Sequence, residues 1–146
     1  MVLKLVPWVW EFLRVLQLHS DFQINKCFQL LGDGGALMTG SELATAVAHK
    51  AKIRVIVANN NHYGTIRYHQ EVHFPTRDHY ATKLVNPDFA KYGESFGLKC
   101  FTIHNTEEIL PTIKSAMKVD GPSLIEFKMS LELNTSTATI SQLQTN

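Results

Sequence analysis

Cysteine is scarce in this chain: Cys27 and Cys100 are its only two, and each lies inside an apolar run. Two thiols so far apart exclude a disulfide framework and read as buried free cysteines in a reducing, cytoplasmic setting. A charge excess is missing too. A formal net charge of +1 over 146 residues offers no electrostatic basis for binding nucleic acid or a membrane surface. No uncharged apolar run is long enough to cross a bilayer, and no internal repeat is visible. What remains, 45% hydrophobic and 18% charged residues, fits one globular domain with a real core.

The first eighteen residues, MVLKLVPWVWEFLRVLQL, are atypical and contain both tryptophans. Glu11 and Arg14 interrupt the apolar core that a signal peptide needs, and no small-residue cleavage site follows. Residues 8–18 could form an amphipathic helix. We take 1–22 as an atypical segment, 23–130 as the domain and 131–146, rich in Thr, Ser and Gln, as a flexible tail.

From Lys26 the pattern is regular. KCFQLL (26–31) reads as a strand and Gly32 to Gly35 as a tight turn. Thr39 to Glu42 has capping-box spacing ahead of a helix reaching Ala51, with Leu43, Val47 and Ala51 on one face. IRVIVA (53–58) is a β-branched strand, Asn59 to Thr65 a polar loop, and Ile66 to Asn86 a long, weakly patterned stretch rich in His and Arg. Loops of that length usually cover a site or meet a partner. Asn86-Pro87-Asp88 starts a helix, with Asn86 as its cap, that stops at Gly97. LKCFTI (98–103) is a strand, and Asn105 caps a helix reaching about Val119 that tolerates Pro111 near its first turn. SLIEFKM (123–129) is the last strand. The alternation implies an α/β fold, an open parallel sheet with helices on both faces.

The stretch from Leu31 to Thr65 organises the rest. Asp33 and Asn60 lie 27 residues apart, about one strand–helix–strand unit. In a right-handed crossover, two such strand ends emerge side by side on one edge of the sheet. A carboxylate and an amide oxygen can therefore converge on one hard cation. Magnesium takes near-octahedral oxygen ligands at about 2.0–2.1 Å and shares them with substrate phosphates. The turn after Asn60 can add a backbone carbonyl. Gly34 and Gly35 expose backbone N–H groups before a helix, where phosphate binds well. The combination predicts a diphosphate held through Mg2+.

These residues also resemble a known family. Gly32-Asp33-Gly34 with Asn59-Asn60 is similar to the cofactor motif of thiamine diphosphate-dependent enzymes. The likeness continues through GALMTGSELATAV, NNNHYGTIRYHQE, LVNPDFAKYGESFG and GPSLIEF, which resemble the C-terminal domain of the acetolactate synthase large subunit over roughly Lys26 to Met129. The resemblance implies that Asp33 and Asn60 ligate magnesium through side chains and His62 through its backbone carbonyl. It implies that Gly32, Gly34 and Gly35 border the diphosphate and that Tyr63, Gly64 and Thr65 begin the segment lining the active site. The implied fold is the thiamine diphosphate-binding α/β fold, incomplete at its N-terminus.

The resemblance implies a division of labour as well. In this family the cofactor lies between the diphosphate domain of one subunit and the pyrimidine-binding domain of another, which contributes the activating glutamate. No segment here resembles that second domain, so no catalytic residue is expected in this chain and it is expected to be inactive alone. A homodimer or larger assembly is implied for the full-length enzyme, and faces buried there would be exposed here. The family's glycine-rich stretch before Gly-Asp-Gly is absent, and LVPWVWEFLR (5–14) stands in its place. In a shifted frame, Trp8 into Val9 and Trp10 into Glu11 must each encode glycine, and Glu11 into Phe12 must encode Ile or Val. The other codons permit the remainder of the stretch. The expectation is that residues up to about His19 are translated out of frame.

Other arrangements are weaker. His69 and His73 have the i, i+4 spacing of a zinc clamp but no third ligand by spacing. Arg67 and Arg77 could meet a substrate carboxylate or a subunit contact. Ser41 and Ser123 lack a His–Asp arrangement, and Glu42 reads as a cap. The main reading is 2-oxo acid decarboxylation and carboligation. The alternatives are a fragment of a 2-oxo acid decarboxylase or glyoxylate carboligase, and a non-catalytic interaction module keeping the fold.

Overall fold

The computed structural model describes residues 27–74, 79–133 and 139–144. The atypical N-terminal segment, its reading-frame expectation and Arg77 lie outside the described residues. Four strands, β1 (Cys27–Gly32), β2 (Ile53–Asn59), β3 (Lys99–Ile103) and β4 (Ser123–Lys128), form one parallel sheet in the order β1-β2-β4-β3. Each strand begins and ends within a residue or so of its expected limits. The helices are α1 (Asp33–Thr39), α2 (Leu43–Ala48), α3 (Gly64–His73), α4 (Phe89–Ser95), α5 (Ile109–Ala116) and α6 (Ile140–Gln144). No helix among the described residues is long and apolar enough to cross a membrane.

Alternation along the strands sends side chains to two separate cores. Leu31, Val55, Val57 and Leu124 pack under Ala36, Leu43, Ala46 and Phe89, so α1, α2 and α4 cover one face. Ile56, Phe101, Ile103, Ile125 and Phe127 pack with Ile109 and Ala116, so α5 covers the other. The expected sheet with helices on both faces is therefore present. Cys27 and Cys100 are free thiols at the edge of the first core, and burial pushes the Cys100 thiol up to about 11, where it is unreactive near neutral pH.

Four local expectations need correction. The turn at Gly32 to Gly35 is instead the start of α1, which begins at Asp33 directly after β1. The capping box at Thr39 does not form. The Thr39 hydroxyl donates to the Gly35 carbonyl (3.1 Å), Glu42 accepts from the Thr45 hydroxyl (3.1 Å), and a 3-10 turn at Gly40–Glu42 joins α1 to α2. The loop expected from Ile66 holds most of α3, whose Arg67 pairs with the wholly buried Glu71 one turn later while His79 reaches the same carboxylate at 3.0 Å. This helix is fastened by an ion pair, not by an apolar stripe, and so escapes a hydrophobic-periodicity reading. Finally, the cap of α4 is Asp88, which accepts from the Lys91 N–H (3.0 Å), and not Asn86.

The stop at Gly97 is borne out. Gly97 has φ +90, and its N–H and that of Leu98 donate to the carbonyls of Glu94 and Gly93, the paired bonds of a Schellman ending. Asn105 caps the turn before α5 by accepting from the Glu108 N–H (3.1 Å). The C-terminal region contains α6, whose Ile140 is buried.

Gly93 marks the tightest contact between α4 and the sheet. A Cβ there would fall 2.6 Å from Cys100 Sγ and 3.3 Å from Leu124 Cδ1. Gly93→Ala is expected to cost about 1–3 kcal/mol of stability through overpacking, read as a lower denaturant midpoint with an unchanged slope.

Candidate functional site

The register of β1 on β2 determines what meets at the C-terminal edge. Leu31 stands opposite Val57 and Gly32 opposite Ala58, so Asp33 emerges beside Asn59. Both side chains are drawn inward, Asp33 being 2% and Asn59 1% exposed. Asp33 Oδ1 accepts from the Gly34 N–H (2.9 Å), and Oδ2 accepts from the Asn86 side-chain amide (2.7 Å). That amide also donates to Asn59 Oδ1 (2.8 Å) and lies 3.4 Å from Asn61 Oδ1. Asn59 Nδ2 in turn donates to Glu126 Oε1 (2.6 Å) in β4, to which Lys128 Nζ also donates (2.7 Å).

Asn60 continues past the strand. Its Oδ1 accepts from the His62 N–H (3.0 Å), while Asn59 Oδ1 accepts from the Asn61 N–H (3.1 Å), giving two successive Asx turns. Asn61 adopts φ +58, a left-handed conformation that asparagine tolerates. The turn is tied down by Tyr63 N–H to the Thr82 carbonyl and Leu84 N–H to the Asn61 carbonyl, both 2.8 Å. His62 is half-buried in this bridge to Lys83, and its Nδ1 lies 3.1 Å from the Asn60 carbonyl oxygen. Tyr63 precedes α3, which Gly64 and the exposed Thr65 open.

The two glycines after Asp33 differ. A Cβ on Gly34 would fall 2.6 Å from Tyr63 Cε1, so the tyrosine ring packs against that position. Around Gly35 nothing lies within 4 Å of where a Cβ would be, and the space above it is open, as is that above Gly32. The Gly34 N–H, expected to be free for phosphate, is already engaged by Asp33.

Three carboxylates are buried among the described residues: Asp33, Glu71 and Glu126. Glu71 meets Arg67 and His79, and Glu126 meets Lys128. Asp33 alone is held by neutral donors, with no ion pair to a Lys, Arg or His among the described residues. An uncompensated buried carboxylate costs several kcal/mol, and two hydrogen bonds of about 1.5–3 kcal/mol each offset part of that.

Residues 17–127 match the family described as thiamine pyrophosphate enzyme, C-terminal TPP binding domain. The chain belongs to the thiamine pyrophosphate enzyme family. It is 37% identical over 108 residues to the YdaP protein of Bacillus subtilis, covering 74% of this chain and 18% of that one. It is 34% identical over 119 residues to the 3D-(3,5/4)-trihydroxycyclohexane-1,2-dione hydrolase of Bacillus licheniformis (76% and 18% covered). With the acetolactate synthase large subunit of Porphyra purpurea it shares 32% over 100 residues (68% and 17% covered). The chain thus spans less than a fifth of the length of these curated relatives.

As a thiamine pyrophosphate-binding domain, the chain offers a donor set of one carboxylate and several amide and carbonyl oxygens. That hard-oxygen chemistry fits Mg2+ and not a thiolate- or imidazole-seeking metal. The open face over Gly35 leaves room for a diphosphate. The unpaired Asp33 carboxylate supplies the charge a cation needs, so the residues fit the metal-linked cofactor.

Three residues of this site escape a sequence reading: Asn59 as a buried link, Asn86 as the partner of Asp33, and Glu126. A signal existed for the last, since a glutamate amid the apolar run of a central parallel strand is out of place. The weaker candidates separate from the site. Arg67 is committed to Glu71, and Ser123 is buried in β4. His69 and His73 stack on an exposed face of α3 with ring centroids 5.8 Å apart. No group of three or more His, Cys, Asp or Glu able to hold a metal occurs among the described residues.

The glycine asymmetry is testable. Gly34→Ala is expected to lower stability by about 1–3 kcal/mol by displacing the Tyr63 ring, whereas Gly35→Ala is expected to leave it within about 0.5 kcal/mol. Equal melting temperatures for the two variants would contradict the packing of Tyr63 on Gly34.

Proposed function

We propose that this chain holds magnesium thiamine diphosphate at the shared edge of β1 and β2 and serves acetolactate synthase-like chemistry, the decarboxylation of a 2-oxo acid followed by carboligation. The observation that carries the reading is the buried Asp33 carboxylate, which lies at the strand end beside Asn59 and has no cationic side chain to balance it among the described residues. Asp33 and Asn60 are the proposed side-chain ligands of the cation, and the His62 carbonyl is a third. Gly32 and Gly35 give the diphosphate open backbone to lie against, with Gly34 steadying Asp33. Tyr63, Gly64 and Thr65 form the near wall of the site.

When bound, the cofactor supplies a nucleophilic thiazolium carbon that adds to a 2-oxo acid carbonyl and accepts the electrons left by departing carbon dioxide. This chain's contribution is to bind and orient. The Asp33 carboxylate would hold the metal, which would offset the diphosphate charge, and the two Asx turns fasten the Asn60 to His62 loop. In the resemblance, proton abstraction belongs to a glutamate of another domain, and the site is completed by a second subunit. Leu37 and Met38 on α1 and Ile66, Val72 and Phe74 at or just after α3 are exposed apolar side chains close to the site in sequence, as a partner-facing surface requires. The acetolactate synthase-like reading rests on the resemblance of the motif segments; by overall identity the hydrolase is as similar, 34% against 32%.

Calorimetric titration of the chain with thiamine diphosphate is expected to show saturable binding in the presence of Mg2+ and its loss on chelation. Asp33→Ala is expected to weaken it at least tenfold, in line with the removal of a charged metal ligand, worth about 10-fold or more. Unchanged binding in that variant refutes the site. Pyruvate turnover by the chain alone would contradict the division of labour.

A further inference from the structure

The chain of hydrogen bonds behind Asp33 has a definite sense. It runs Glu126, Asn59, Asn86, Asp33, with a carboxylate at each end and two amides between. A carboxylate only accepts, and an amide both donates and accepts. Glu126 therefore obliges Asn59 to turn its NH2 inward (2.6 Å), which leaves Asn59 Oδ1 facing Asn86. Asp33 obliges Asn86 to turn its NH2 outward (2.7 Å). The Asn86 amide has two hydrogens, and its two short contacts, Asp33 Oδ2 and Asn59 Oδ1, use both. Only one arrangement of the two amides satisfies every link. A flip of either would set oxygen against oxygen at a buried position, where an unmet acceptor costs about 1–3 kcal/mol.

The chain also joins elements far apart in sequence. Asn59 and Glu126 are separated by 67 residues and Asp33 and Asn86 by 53. Asn86 belongs to the segment entering α4, so the carboxylate at the end of β1 is steered from β2, β4 and the approach to α4 together. Lys128 balances Glu126 at the far end, whereas Asp33 has no ion pair among the described residues.

We propose that Asn86, and behind it Asn59 and Glu126, are positioning residues that hold the Asp33 carboxylate in its cation-receiving orientation. Asn86 acts on Asp33 directly, and Glu126 acts only by setting the sense of Asn59 and hence of Asn86. The proposal rests on the reading of Asp33 as a ligand of the cofactor's metal and deepens it, because it names the residues that prepare that ligand. Outer partners of metal ligands commonly contribute about 10–100-fold to affinity.

The test uses Mn2+ as a spectroscopic probe. Its binding to the full chain, with thiamine diphosphate in excess, is followed by the loss of the free-ion paramagnetic resonance signal. Asn86→Ala is expected to weaken Mn2+ binding about tenfold and the isosteric Glu126→Gln about threefold, magnitudes at and below the lower bound for outer partners. The double variant is expected to lose about tenfold, not the roughly thirtyfold of independent effects, because both changes act through one link. Multiplicative losses, or Mn2+ affinities equal to that of the unaltered chain, overturn the positioning role while Asp33→Ala still weakens binding at least tenfold. Mn2+ binding left unchanged by Asp33→Ala overturns the metal-site reading itself, and the proposal with it. Should Asn86→Ala fail to fold, Asn86→Ser combined with Glu126→Gln provides the same comparison. Loss of cation affinity in Gly93→Ala, which loosens the fold away from the site, to the same extent as in Glu126→Gln would show a merely structural effect and overturn the proposal.

Discussion

The site depends on the parallel pairing of β1 with β2. Their register offsets partners by 26 residues, from Cys27 opposite Ile53 to Gly32 opposite Ala58. The motif spacing of Asp33 to Asn60 is one residue longer. That difference separates two roles that a sequence motif merges. Asn59, at the register position, is drawn into the sheet and locked to β4, while Asn60, one step beyond, is released into the turn. A one-residue slip would exchange them and invert every inward-facing side chain of the strand. The two cores that grip both faces of β2 make such a slip costly.

The same pairing explains how a carboxylate can be buried without a cationic partner in a marginally stable domain. Its neighbours are amides and backbone N–H groups held by the sheet edge, so their dipoles are oriented before any ligand arrives. The other two buried carboxylates are neutralised within the chain, Glu71 by Arg67 and His79 and Glu126 by Lys128. Their work is to fasten α3 and to set the sense of Asn59. Among the described residues, two of the three buried carboxylates are thus paired with cationic side chains, and Asp33 is held by neutral donors alone.

Much of this was legible in the residues. The apolar runs marked the four strands to within a residue or so, most plainly β2, whose β-branched run is mostly buried on both faces. Asp33 and the asparagine pair were legible because their spacing follows from strand–helix–strand geometry. Helix α3 was not legible, since its fastening is the Arg67–Glu71 pair and not an apolar stripe. The cap of α4 was misassigned because Asn86 and Asp88 are both good caps flanking Pro87, and only the fold shows that Asn86 is taken by Asp33. Thr39 likewise had the right spacing for a capping box, and a competing acceptor, the Gly35 carbonyl, took its hydroxyl.

The strand order carries a consequence for assembly. Among the described residues β4 comes last of the strands in sequence yet lies between β2 and β3. Until it inserts, β3 has no neighbour, and β1 with β2 forms an isolated pair of marginal stability. Glu126 rides on β4, so the polar chain that ends at Asp33 closes only when this final strand is seated. A growing or truncated chain that stops short of Ser123 can display the complete Gly-Asp-Gly and asparagine signature and still lack the finished edge. The hydrogen-bonded edge at Asp33 is therefore completed only with the sheet, and the two strands that carry the signature depend on one that follows them in sequence.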